Sequence, residues 1–266
     1  MQKPVRVLVG IVVAAVVAAG CGGGDSDESS PTTTAATSGP TTTAATPPTS
    51  DPRSAREFAS DKAEAERVVL RLTDLPPGGV FTGEPDTDTD SPALDAARDR
   101  FGECLDVDPS LVAGGAKGRA TAESDDFEDE EGNQISNSVT VVSSRSRGAE
   151  QLAAVEKPEA PQCYEAFVNA AITESASGPD APPDLAFGSS QVEPLSLPGL
   201  NTEGGAYRAI VPVTTQGQTI DFFLDIVLAL KGRTGISMTF VGIESPFLAD
   251  FETELTNKVI DRAPAD

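Results

Sequence analysis

The segment QTIDFFLDIVLAL, residues 218–230, constrains the fold more than any other part of this chain. Every second side chain from Ile220 to Leu230 is apolar, whereas Asp221 and Asp225 occupy alternate positions. This period of two is typical of a β-strand that buries one face. We therefore expect an antiparallel sheet in which one face of this strand is apolar and the other carries Asp225.

Other segments alternate in the same way and supply the partners of that strand. The sequence predicts further strands near residues 118–127, 135–144, 185–193, 206–214 and 234–243. TTQGQT and KGRTG are the predicted hairpin turns between neighbours. This alternation is typical of half-buried antiparallel strands.

Helical periodicity separates and follows these strands. Helices are predicted near residues 58–72, from Ser91 and Pro92 onward, and near 147–155, 160–175 and 246–262. The side chains predicted to face inward include Phe58, Ala65, Val68, Val69 and Leu72 in the first helix, and Leu94, Ala97, Phe101, Cys104 and Leu105 in the second. Leu248, Phe251, Leu255 and Val259 of the final helix are predicted to cover the apolar face of residues 218–230. The predicted fold class is α+β, a single domain with helices packed on a twisted antiparallel sheet.

The amino-terminal residues have the layout of an export signal. Lys3 and Arg6 precede an uncharged run at residues 7–20 that ends in small side chains. The run is shorter than the roughly 20 apolar residues that a membrane span needs. AAGC at residues 18–21 resembles the lipobox of bacterial lipoproteins, in which the cysteine is acylated. We expect Cys21 to carry the lipid; the alternative is an ordinary signal peptide that leaves a free thiol.

Residues 22–52 are rich in Gly, Ser, Thr, Pro and Ala and contain no large apolar side chain. Such a segment buries too little surface to offset its ordering entropy, so we predict a disordered spacer. The predicted organisation is a signal peptide at residues 1–20, the attachment cysteine and spacer at 21–52, and the folded domain at 53–266.

The chain has three cysteines, so at least one of them cannot form a disulfide within the chain. If Cys21 is acylated, Cys104 and Cys163 remain as one possible disulfide between two predicted helices. The alternative is a pair of separate, buried thiols.

Charge and composition exclude several partners and chemistries. The formal net charge of −23 disfavours nucleic acid, whose phosphates require clustered Lys and Arg. The absence of histidine excludes Ser-His-Asp and Cys-His arrangements and histidine metal sites. No nucleotide-binding loop or hydrolase motif is present. We therefore predict no catalytic residues and no cofactor, although a pair of carboxylates for glycan hydrolysis stays open.

Two acidic stretches are candidates for metal sites. DTDTDSPALD, residues 86–95, has Asp86, Asp88 and Asp90 at alternate positions. It places Ser91 where a calcium loop needs glycine, and the following Ala97 where the loop needs glutamate. ESDDFEDEEGNQ, residues 123–134, is interpreted as the charged end of a hairpin. No metal site is predicted.

The order of several short motifs resembles a known family. VVLRLTDLPPGG at residues 68–79, RFGECL at 100–105, SNSVTVVSS at 136–144 and APQCYEAFVNAA at 160–171 resemble actinobacterial extracellular lipoproteins. They are also similar to the extracellular sensor domain of mycobacterial PknH-type transmembrane kinases. This resemblance implies a Mog1/PsbP-like antiparallel fold and a cleft for an unidentified ligand. It departs in the second cysteine pair of that domain, which this chain lacks.

These observations favour a membrane-anchored extracytoplasmic lipoprotein with a non-catalytic, ligand-binding or sensor-like domain. Its expected partners are the membrane, through lipidated Cys21, and a small envelope molecule or a protein. The alternatives are a carboxylate-dependent cell-wall or glycan hydrolase and a structural accessory subunit of an envelope complex.

Overall fold

A computed structural model describes residues 54–76, 81–84, 92–106, 120–177 and 185–265. Within these residues the helices are α1 (Ala55–Val68), α2 (Pro92–Cys104), α3 (Arg145–Val155), α4 (Ala160–Ser177) and α5 (Ala249–Arg262). The strands are β1 (Thr82–Glu84), β2 (Ala120–Glu123), β3 (Asp126–Glu128), β4 (Gln134–Val141), β5 (Ala186–Phe187), β6 (Gln191–Pro194), β7 (Glu203–Thr215), β8 (Gln218–Lys231) and β9 (Thr234–Ile243). The predicted α+β class is confirmed.

The strands form one antiparallel sheet of nine strands in the described part of the chain. Their order is β1-β3-β4-β9-β8-β7-β5, with β2 paired to β4 and β6 paired to β7. Both predicted hairpin turns are present. Gln216 and Gly217 have φ angles of 53° and 76°, which match the right-handed twist of the flanking strands. Gly232 makes the second turn at a φ of 60°.

Helices cover both faces of the sheet. On the α1/α5 face, α1 packs on β2 and β4, and α5 packs on β8, β9 and α1. On the α3/α4 face, α3 packs on β7 and β8, and α4 packs on β5, β6 and β7, with α2 against α4. Each layer has its own apolar core, because alternate side chains of β7, β8 and β9 point to opposite helices.

The final helix lies on the opposite face of β8 from the one predicted. Phe222 and Leu224 share a core with α4, whereas Leu255 and Val259 of α5 share a core with Val227 on the other face. The prediction was wrong because it took the Asp225 face to be solvated. The residues before and after Asp225 on that face are apolar, and α5 covers this part of the face. Leu248, predicted to be inward, precedes α5 and is 77% exposed.

Further element boundaries differ from the prediction, and the strand predicted at residues 185–193 is divided into β5 and β6. The first helix ends at Val68, so Leu72 lies in a 3₁₀ turn and is 50% exposed rather than inward. The strand predicted at residues 118–127 is divided into β2 and β3. Glu123 pairs with Ser138 but Phe127 pairs with Ile135, so one extra residue bulges between them. Leu94 lies outside the described side chains.

Arg262, at the end of α5, joins the two helices of the α1/α5 face. Its guanidinium donates to the backbone carbonyl oxygens of Val68 and Val69, which end α1, at 2.8–3.2 Å. Its Nη1 also donates to the Asp74 carboxylate, with both oxygens at 2.8 Å. The guanidinium therefore satisfies carbonyl groups that the end of a helix leaves without partners.

We expect Arg262→Ala to lower the free energy of unfolding by about 2 kcal/mol or more, because charged hydrogen bonds to partly buried groups are lost. Urea unfolding followed by circular dichroism measures this. Arg67→Ala, an exposed arginine in the last turn of α1, is the control and should change stability little. Equal stability losses in the two variants would contradict the role given to Arg262.

Candidate functional site

Cys104 and Cys163 form a disulfide, as predicted. Cys104 is the last residue of α2, and Cys163 lies in the first turn of α4. Their Cα atoms are 5.7 Å apart. Cys163 is buried in a small core with Leu105 and Leu152, whereas Cys104 is exposed. The bond therefore fastens the end of α2 onto the α3/α4 layer.

The other candidate site residues of the sequence have different outcomes. Cys21 lies outside the described residues, so its lipidation stays a prediction. Asp86, Asp88 and Asp90 also lie outside them. The second acidic stretch is a hairpin end, in which Asp129 accepts bonds from the backbone N–H groups of Glu131 and Asn133. Among the described residues, no group of three acidic or cysteine side chains could hold a metal ion.

Hydroxyl side chains of β4 and β9 come together on the α3/α4 face. Ser136 lies directly opposite Thr239, and Ser138 lies opposite Ser237. Directly opposite residues in antiparallel strands point to the same side, with Cβ atoms about 5 Å apart. We call these four residues the hydroxyl face. Ser237 is half-buried and the other three are buried.

The cross-strand neighbours of Thr239 and Ser237 on β8 are apolar. Ile226 lies opposite Thr239, and Leu228 lies opposite Ser237. Both side chains border the cores under α3 and α4, yet each is only half-buried although β8 is an inner strand. A half-buried apolar strip and a hydroxyl strip that is buried except at Ser237 therefore lie side by side on this face of the sheet.

A second polar group lies on the opposite side of the sheet, beneath α5. Arg208 on β7 is directly opposite Asp225 on β8 and donates to both of its oxygens, at 2.7 and 2.5 Å. Glu252 of α5 approaches the same guanidinium, with 3.9 Å between Nη2 and Oε1. Asp225 is 1% exposed and Glu252 is 0% exposed. We call these three residues the buried charge cluster.

Burial raises the pKa of Glu252 to about 9, because an ionised carboxylate loses its hydration. A contact with the Asp225 carboxylate adds to the rise by favouring the protonated form, and repulsion between the two acids acts in the same direction. The Arg208 guanidinium opposes it. The contact with Asp225 falls short of full hydrogen-bond geometry, since neither oxygen of Glu252 has a normal partner among the described residues.

This pair of acids bears on the hydrolase alternative. Glycoside hydrolysis uses two carboxyl groups in different surroundings, and here one has a raised pKa while the other is paired with arginine. Asp225 and Glu252, however, are enclosed between the sheet and α5. A sugar cannot reach their oxygens in this arrangement, so the cluster is interpreted as a structural feature of the core.

Sequence reasoning missed both polar groups, although each left a signal. In QISNSVT the hydroxyl residues occupy every second position of the strand, and Ser237 and Thr239 do so in the next one. Glu252 lies three residues before Leu255 and seven before Val259, at a core position of its helix. The missing information was the strand register that brings these residues together.

Comparison with known proteins finds no match: no family model, curated protein or solved structure resembles this chain significantly. The resemblance to the kinase sensor domain therefore stays a prediction. In the described part of the chain, no helix is both long enough and apolar enough to span a membrane.

We expect Glu252→Gln to flatten the pH dependence of stability. The ordinary pKa of this carboxyl is 4.5 and its folded pKa is about 9, so between these values the folded state holds a proton that the unfolded state has released. The free energy of unfolding therefore falls as pH rises, by up to about 1.4 kcal/mol per pH unit from this group. Urea titrations from pH 5 to pH 9 cover most of the interval of about four units between the two pKa values. They measure the slope of the free energy of unfolding against pH.

Glu254→Gln is the matched control for that experiment. Glu254 lies on the exposed side of the same helix and pairs with Lys258. It should keep the wild-type slope. If Glu252→Gln has the same slope of stability against pH as the wild type and Glu254→Gln, then Glu252 is ionised in the folded protein.

We expect the Cys104→Ala/Cys163→Ala double variant to lose about 4 kcal/mol of stability, because the disulfide closes a loop across 59 residues of the unfolded chain. Urea unfolding measures the loss. Reductant should destabilise the wild type and leave the variant unchanged. Alkylation of both cysteines in the untreated wild-type protein would contradict the bond.

Proposed function

We propose that this chain is an extracytoplasmic lipoprotein, anchored to a membrane through lipid on Cys21, whose folded domain binds a ligand without catalysing a reaction. The observation that carries the proposal is the Cys104–Cys163 disulfide. It uses two of the three cysteines and leaves Cys21, in its lipobox-like context, as the one that stands apart.

The disulfide also supports export of the domain. Such bonds persist in oxidising compartments and are rare in the cytoplasm. This agrees with the signal-like run at residues 7–20 and with the spacer predicted between Cys21 and α1. A lipid on Cys21 would then hold the domain at the outer side of the membrane.

The binding role is supported by the hydroxyl face and its apolar border. Hydroxyl groups donate and accept hydrogen bonds without bringing charge, and Ile226 and Leu228 beside them offer apolar contact. Sites for small molecules combine these two kinds of surface. The enclosed position of Asp225 and Glu252 supports a role without catalysis. The ligand is a small envelope molecule or a segment of a protein partner.

Metabolic labelling with an alkyne fatty acid tests the anchor. We expect the wild-type chain to take up the label and to sediment with membranes. Cys21→Ala should lose the label and leave the membrane fraction, because the acylated sulfur is gone.

Ser29→Ala, a substitution within the same amino-terminal segment, is the control and should behave like the wild type. A label that persists in Cys21→Ala would place the lipid elsewhere and refute the anchor. Membrane sedimentation without any label would refute it as well.

A further inference from the structure

Two apolar side chains lie on the α1/α5 face beyond the part of the sheet that α5 covers. Ile210 on β7 is directly opposite Phe223 on β8, so both point to the side of the sheet on which Arg208 and Asp225 lie. Both are half-buried. Within the described part of the chain, neither belongs to an apolar core or borders one. This pair therefore lacks the helical cover that its neighbours on the same face have.

The chain before α5 brings a third apolar residue to this place. Gly242 on β9 is directly opposite Phe223. A Cβ atom on Gly242 would collide with the carbonyl oxygen of Ser245, so the chain after β9 turns back over this side of the sheet, beside Phe223. Leu248 follows three residues later and is 77% exposed, the most of any large apolar side chain that the structure describes. We call Ile210, Phe223 and Leu248 the hairpin patch.

Arg208 joins the beginning of α5 to this patch. Its guanidinium lies over the Phe223 ring, 6.0 Å from the ring centre, and Glu252 of α5 approaches the same group at 3.9 Å. The amide of Glu252 donates to the carbonyl oxygen of Leu248, one turn earlier. Residues four apart lie on the same side of a helix, so Leu248 lies on the side of α5 that faces β7 and β8.

Carboxylates flank the hairpin patch, and its basic neighbour is already paired. Asp221 lies two residues before Phe223, on the same side of β8, and is exposed. Glu193 on β6 is directly opposite Arg208 and is also exposed. The guanidinium of Arg208 forms its ion pair with Asp225. The patch is therefore an accessible apolar surface in a negative field, on a chain whose formal net charge is −23.

This combination of apolar surface and negative charge selects one kind of occupant. A second copy of the chain would bring the same carboxylates, and an anionic membrane would bring phosphates, so both are repelled. A protein segment with apolar side chains flanked by Lys or Arg is complementary to both features. From Phe223 to Thr219 the hairpin extends about 13 Å, the length of about nine residues of α-helix. Helices already cover the neighbouring parts of the sheet.

We propose that the hairpin patch is the docking surface for a cationic amphipathic helix of a protein partner. The apolar side chains of that helix pack on Ile210, Phe223 and Leu248, and its Lys or Arg side chains pair with Asp221 and Glu193. The patch and the hydroxyl face lie on opposite sides of the sheet. The inference rests on the proposed binding function, names the class of partner and gives it a surface of its own.

Photo-cross-linking in the native membrane tests both the surface and the partner. Benzoylphenylalanine is incorporated in the full chain at position 248 or, as the matched control, at position 72, since Leu72 is the other exposed large apolar residue that the structure describes. Leu72 lies near the far end of α5, because Asp74 of the same turn pairs with Arg262. We expect position 248 alone to link to another protein, within a segment that has apolar residues at helical spacing and at least two Lys or Arg.

Other products of this experiment overturn the proposal. A link from position 248 to a second copy of this chain, to lipid or to an acidic segment names a different occupant. The same product from both positions means that exposure alone determines the link. No link from position 248 means that nothing docks there.

Two substitutions test the contacts through the yield of the link from position 248. Asp221→Asn should lower it about two- to fivefold and weaken its dependence on salt, because an exposed charge pair is lost. Ile210→Thr keeps a β-branched side chain and should lower it about three- to tenfold through lost apolar contact. Glu66→Gln, at an exposed carboxylate of α1, is the control and should keep the wild-type yield. Unchanged yields in Asp221→Asn and Ile210→Thr would contradict the docking geometry.

Native mass spectrometry of the chain recovered from its own membrane separates failure of this inference from failure of the proposed function. A retained protein that contains the linked segment supports the docking surface. A retained molecule of any kind, when position 248 gives no link or a wrong one, overturns the docking surface and leaves the binding function standing. An empty chain that also gives no link overturns both.

Discussion

The register of β7, β8 and β9 is the constraint on which the rest of the structure depends. β7 and β8 pair continuously from Glu203 and Leu230 to Thr215 and Gln218, and β9 continues the ladder from Thr234. Side chains alternate between faces along each strand, so a slip of one residue would exchange the two cores. It would also separate Arg208 from Asp225 and bring Thr239 out of line with Ile226. The turn at Gln216 and Gly217 opposes such a slip through its backbone conformation.

Polar side chains are arranged differently on the two faces of this sheet. Under α5, two acids are buried beside one guanidinium, and a proton on Glu252 leaves the cluster with no net charge at neutral pH. A chain with a formal charge of −23 can therefore bury two acids without an uncompensated charge in its core. The hydroxyl face carries neutral hydroxyls beside half-buried apolar residues, with the carboxylates of Glu123 and Glu128 at its margin. The first arrangement is enclosed between the sheet and α5, whereas the second lies beside the half-buried side chains of Ile226 and Leu228.

The extent to which sequence predicted the structure differs between single elements and their assembly. The strand at residues 234–243 agrees with β9 at both ends, because alternation is a local property. The disulfide was predicted from the cysteine count together with the lipobox-like context of Cys21, which left Cys104 and Cys163 to pair. The layer that covers Asp225 could not be predicted from the sequence, because alternation separates the two faces of a strand but does not indicate which helix covers each face. The partner of Asp225 lies 17 residues away and Ser136 meets Thr239 across the sheet, and both depend on register.

The positions of the first and last helices have a practical consequence for presenting this domain on a surface. α1 begins after Ser54, whose side chain and Glu57 form a capping box, and α5 is the last element of the described chain. Both belong to the layer opposite the hydroxyl face. A support or fusion attached before α1 or after α5 therefore joins that layer. In such a preparation the hydroxyl face lies on the side of the sheet remote from either point of attachment.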